Sequence, residues 1–77
     1  MTVKIGGGRL EAQEIFELIL KADDALKYAT EEKAAARARQ ARDLLAEARR
    51  EAEAIGNTDL VEQVDRRVAD LDALGLG

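Results

Sequence analysis

The 77 residues predict an all-α fold, an antiparallel three-helix bundle preceded by a flexible N-terminal arm, and three observations carry that expectation. There is no proline, and fifteen alanines and ten leucines dominate an apolar fraction of 47%. These residues lose little conformational entropy in a helix, as do the abundant Glu, Arg and Lys. Apolar side chains also return at three- and four-residue steps rather than alternating. Finally, Gly6-Gly7-Gly8 and Gly56-Asn57 interrupt the pattern where helices of ordinary length would begin or end. The helices are expected at about 9–29, 31–55 and 58–74, within a single helical domain spanning 9–77.

The first eight residues read as the arm. Three successive glycines are costly to order and break a helix, and Thr2 to Ile5 are too few to hold a strand without a partner edge. From Arg9 to Ala29 an apolar band runs through Ile15, Phe16, Leu18, Ile19, Ala22, Ala25, Leu26 and Ala29. Glu17 with Lys21 and Asp23 with Lys27 are i,i+4 pairs in the favourable order. Thr30-Glu31-Glu32-Lys33 then interrupts the band, with Thr30 placed to cap a second helix and the two glutamates to favour its positive end.

That second helix has the most regular pattern in the chain. Ala34, Ala38, Ala41, Leu45, Ala48, Ala52 and Ile55 recur at alternating steps of four and three, a heptad seam that keeps one narrow strip facing a partner helix. Most of the strip is alanine, so a facing backbone can come closer than it could across leucine. Leu44 widens the seam toward a third helix. Gly56 supplies a left-handed residue to end the helix, and Asn57 or Thr58 caps the next. Val61, Val64, Val68 and Leu71, flanked by Leu60 and Leu74, form the last stripe. At these bounds the second helix is about 38 Å long against about 32 and 24 Å for its neighbours, so it overhangs the third. No glycine or proline separates Arg9 from Ile55, but the seam phase slips between Ala29 and Ala34, which favours a break there over one continuous rod.

Composition narrows the function classes. A chain this short leaves little interior for a deep pocket. It contains neither cysteine nor histidine, so disulfides, thiol chemistry, the usual zinc ligands and a catalytic imidazole are absent. Phe16 and Tyr28 are its only aromatics, too few for a base-stacking platform. Twelve basic and sixteen acidic side chains give a net charge of −4, the wrong sign for a general nucleic-acid or anionic-membrane binder. No apolar run approaches the length of a membrane span, and no signal-peptide pattern opens the chain; the expected compartment is the cytoplasm.

The stretch from Gln40 to Asn57 resembles the second helix of a tetratricopeptide repeat running into the next repeat, with Ala41, Leu45 and Ala48 matching that family's small–large–small spacing. The resemblance extends over residues of about 40–74. The family's repeat period and its terminal proline have no counterpart here. Three helices in this length also resemble the microtubule-interacting-and-transport bundles. Either resemblance implies a scaffold that binds a peptide or a protein partner.

Candidate chemistry is sparse. Asp23-Asp24, Glu31-Glu32, Glu14 with Glu17 and Asp70 with Asp72 are carboxylate pairs, but di-iron bundles add inward histidines, so these acids read as solvated charge and no metal or cofactor is expected. Gly6-Gly7-Gly8 lacks the Lys-Ser/Thr that follows a phosphate loop and reads as a hinge. Lys33, Arg37, Arg39 and Arg42 form a basic run, with Arg49 on the same face as Arg42. Since the second helix is neutral between two acidic ones, the run is expected to pair with its neighbours rather than with phosphate. The resulting expectation is a non-enzymatic protein–protein interaction or assembly module, self-associating as a homodimer. Its contact would involve Phe16, Ile19, Tyr28, Ala34, Ala38, Ala41, Arg42, Leu45 and Arg49. The alternative is a small nucleic-acid-associated regulator using the basic run.

Overall fold

The computed structural model describes residues 10–27 and 29–75. Helix α1 spans Ala12–Lys27, α2 spans Ala34–Ala54 and α3 spans Thr58–Leu74, with a one-turn 3-10 helix at Glu31–Lys33 before α2. No strand occurs among the described residues. The three-helix architecture is therefore the expected one. The arm at 1–8 lies outside the described residues, as does Tyr28.

Helix α2 is the central element: α1 and α3 both pack on it extensively, while α1 and α3 touch each other over far fewer positions. The heptad seam explains this. Ala38, Ala41, Leu45, Ala48 and Ala52 are all fully buried, and they join Ile15, Ile19, Ala22 and Ala25 of α1 and Leu60, Val64 and Leu71 of α3 in one core cluster. Bulky branched side chains from the two outer helices thus fill the space that the α2 methyl groups leave. Ala34, at the start of the strip, is only half-buried. By rise per residue α2 is about 32 Å long and its neighbours about 24 and 26 Å, so the central helix does overhang.

Each boundary has a local cause. At the head of α1 the Glu14 carboxylate accepts the Glu11 backbone N–H at 2.9 Å, half of a capping box. At the tail of α2 the chain turns through Gly56 at φ +71°. There Asn57 N–H bonds Ala52 O at 2.9 Å and Gly56 N–H bonds Glu53 O at 3.1 Å, the pair of bonds that defines a Schellman turn. Asn57 then caps α3, its Oδ1 accepting Leu60 N–H at 3.1 Å. The choice left open between Asn57 and Thr58 falls to Asn57, and Thr58 becomes the first helical residue.

Two expectations are corrected. Thr30 has the extended backbone of a capping residue, but its hydroxyl makes no capping bond; its carbonyl instead accepts Lys33 N–H at 3.0 Å. Glu31–Lys33 close as a tight 3-10 turn, so α2 starts at Ala34 rather than Glu31. Phe16 does not belong to the buried band of α1. It is 39% exposed, because it stands about 100° around the helix from Ile15.

The α2–α3 turn can be tested directly. Asn57→Ala should lower stability by about 1 kcal/mol through loss of the cap. Gly56→Ala should cost about 1–2 kcal/mol from the left-handed backbone alone, since nothing lies within 4 Å of an added Cβ. Urea midpoints read both, and Leu45→Ala, which empties the core, should exceed either at about 2–5 kcal/mol.

Candidate interaction surface

Of the residues expected at an interface, Ile19, Ala38, Ala41 and Leu45 are at 0% exposure and belong to the chain's own core. The reason is geometric: the seam faces both neighbouring helices, so its methyl groups are covered before any second chain arrives. Tyr28 lies outside the described residues, and Ala34 keeps partial exposure at the overhanging end.

Phe16 remains on the surface. Leu20, one turn further along the same face, is 42% exposed, and Leu74 near the end of α3 is 68% exposed. Phe16 and Leu20 make an apolar pair at i,i+4 spacing, bordered on α1 by the exposed Glu17 and Lys21. Leu20 was not recognisable as part of a surface feature from spacing alone, because Ile15 and Ile19 fit the same periodicity and only their burial separates the two rows.

The basic run divides on folding. Arg42 pairs with Asp72 of α3. Arg49 donates from Nε to Asp65 at 2.8 Å and from Nη1 to Glu53 within α2 at 2.5 Å. Moving seven residues along α2, from Arg49 back to Arg42, matches a step of seven forward along α3, from Asp65 to Asp72. That reciprocal spacing is the signature of an antiparallel pair in heptad register. The pairing expected between the neutral helix and an acidic neighbour is thus present at both positions. Lys33 and Arg39 stay exposed, and Arg37 lines a shallow cleft with Lys21, Asp24 and Gln40.

A third cross-link was not legible. Asp23, expected to pair with Lys27, accepts Arg67 Nε at 3.0 Å and Nη2 at 3.2 Å, joining α1 to α3 across 44 residues of sequence. Arg67 also donates to the Gln63 carbonyl at 3.3 Å. The ion pair borders a crevice where Ala22 and Leu26 of α1, Leu45 of α2 and Leu71 and Leu74 of α3 meet. Among the described residues, no group of three or more carboxylates stands close enough to hold a metal ion, and no helix is long and apolar enough to cross a membrane.

Hydrogen bonding from the Arg49 guanidinium holds the Asp65 carboxyl below its ordinary value of 3.8, and Asp65 in turn raises Arg49. A carboxylate held low in the native state contributes stability above its ordinary pKa and loses it as pH falls through the native value. The urea midpoint of the parent chain should therefore exceed that of Asp65→Asn at neutral pH, and the difference should vanish on acidification below the carboxylate range. It should also shrink as salt is raised. A difference that persisted in strong acid would remove this pair from the account.

No protein-family model matches the chain, and no match was found among curated proteins or solved structures.

Proposed function

We propose that the chain is a non-enzymatic, cytoplasmic assembly module that associates with a second copy of itself through the outer face of α1. The observation that carries this reading is the exposed pair Phe16 and Leu20. Two large apolar side chains thus stand one helical turn apart in solvent. Such a patch is the usual mark of a contact surface, and an aromatic anchor is the usual hot spot. A second copy is the proposed occupant because a chain of 77 residues buries a limited share of its surface alone and gains stability by associating. Arg42 and Arg49 take no part in this contact, because each already engages a carboxylate of α3.

A second reading, a nucleic-acid-associated regulator, draws on Lys33 and Arg39, which remain exposed on α2. It ranks lower because two of the cations it would recruit are held by Asp72 and Asp65. A shift of DNA mobility at low salt that weakens steeply with added salt would favour it.

Sedimentation equilibrium tests the first reading. A dimer should appear at concentrations on the order of 100 μM, the half-assembly point of an interface worth about −5.5 kcal/mol. Phe16→Ser with Leu20→Ser should weaken it by at least about tenfold, as expected for a truncated anchor. Both substitutions lie outside the core, so the circular dichroism spectrum should be unchanged.

A further inference from the structure

The two connections between helices are built differently. From α2 to α3 the chain passes through a left-handed glycine, two backbone bonds of a Schellman turn and a side-chain cap. From α1 to α2 it passes through Thr30 and Lys33, both at capping positions and neither making a side-chain capping bond. No glycine or proline occurs between Arg9 and Ile55, so this connection has no counterpart of the left-handed Gly56; its described turn bonds are Ala29 N–H to Leu26 O and Lys33 N–H to Thr30 O.

Helix α1 packs on α2 over a larger contact than α3 makes there, and only lightly on α3. The surface it would hand over therefore lies almost entirely on α2. Four of the five fully buried side chains of α2 are single methyl groups, Ala38, Ala41, Ala48 and Ala52. The α2–α3 turn and the Arg42–Asp72 and Arg49–Asp65 pairs involve no residue of α1, so they do not depend on which chain supplies it.

We propose that α1 is an exchangeable element, and that the surface it covers on the α2–α3 hairpin accepts α1 of a second copy. In the exchanged pair each chain donates its first helix to the other. The packing of Ile15, Ile19, Ala22 and Ala25 and the Asp23–Arg67 ion pair are remade between chains, and two-fold symmetry closes the assembly. Among the described residues, only 29–33 change course, from a reversal to an extended or helical bridge. Closure within one chain competes with an effective concentration on the order of mM for so short a link, so the exchanged dimer collects at high concentration and on refolding. This inference does not rest on the Phe16–Leu20 contact, which faces outward in either form.

The Asp23–Arg67 pair provides the test. Asp23→Arg and Arg67→Asp chains each face like charges when α1 folds back on its own hairpin. In an exchanged heterodimer both sites become complementary. The arginine introduced at position 23 of one chain meets the aspartate introduced at position 67 of the other, while the native pair forms at the second site. The two full-length variants are refolded together at roughly 500 μM, within reach of that mM effective concentration, and the dimers are counted by native mass spectrometry. Random pairing makes heterodimers and homodimers equally abundant; the predicted result is a ratio several-fold in favour of the heterodimer. A control pair, Asp43→Arg with Arg50→Asp, carries the same charge changes on exposed positions of α2 and should stay at random pairing. Random pairing in the test mixture would overturn exchange while leaving the α1-face dimer standing, and monomers alone would overturn both. In the Phe16→Ser, Leu20→Ser background, where the α1-face contact is weakened, Glu31→Pro provides a second readout. Thr30 already has the extended backbone that precedes proline, so the closed turn is favoured, and the refolded dimer fraction should fall several-fold. An unchanged fraction would count against exchange even if a charge variant failed to fold.

Discussion

The fold depends on a strip of methyl groups that two helices share. Among the fully buried positions of α2 only Leu45 is large; the others are alanines, and the bulk comes from Ile15 and Ile19 on one side and Val64 and Leu71 on the other. Close packing requires such alternation of large and small side chains across an interface. Placing every small residue on the central helix lets both neighbours approach it closely, and it relieves α1 and α3 of the need to pack on each other. A chain with only two aromatics can build a dry interior this way, because the seam is narrow enough to be covered from both sides.

The same strip was the most legible feature in the sequence. A heptad sustained from Ala34 to Ile55 has one physical meaning, a continuous line of contact, and five of its seven members are fully buried. Gly56-Asn57 was equally readable, because a left-handed residue followed by a short polar side chain is what one helix end and the next helix start require. What periodicity could not supply was the allocation of that seam. Facing a second chain and facing two helices of the same chain demand the same spacing, so Ala38, Ala41 and Leu45 fitted an interface until their burial was known. Phe16 and Ile15 are adjacent in sequence and both apolar, and only the direction of approach of α2 decides which one is covered. The Asp23–Arg67 pair had no local signal, since a contact across 44 residues follows from the packing of whole helices. Thr30 misled for a related reason: it has the residue type and backbone of a cap, but the tight 3-10 turn after it takes its carbonyl and leaves its hydroxyl unused as a cap.

Charge acts here on register more than on strength. Arg42 and Arg49 are spaced as Asp72 and Asp65 are, so a slip of one helical turn between α2 and α3 breaks both pairs together. A slip of seven residues keeps one pair and loses the other. Exposed pairs of this sort add little stability, yet a difference between registers needs only a consistent bias. The two-residue reversal at Gly56-Asn57 enforces the same register independently, and so does the burial of Leu60, Val64 and Leu71. Three separate determinants thus agree for the α2–α3 hairpin.

Helix α1 is held differently. It sets isoleucines against the alanines of α2, and its Asp23 reaches past α2 to Arg67 of α3. Alanine surfaces discriminate poorly between neighbouring registers, because each methyl group presents nearly the same contour as the next. Asp23 therefore has a role out of proportion to its small contribution to stability. By engaging Arg67 it ties α1 to a fixed point on α3, a contact that the proposed exchange would remake between chains. The hairpin specifies its own geometry, whereas the first helix is specified by the surface it lands on.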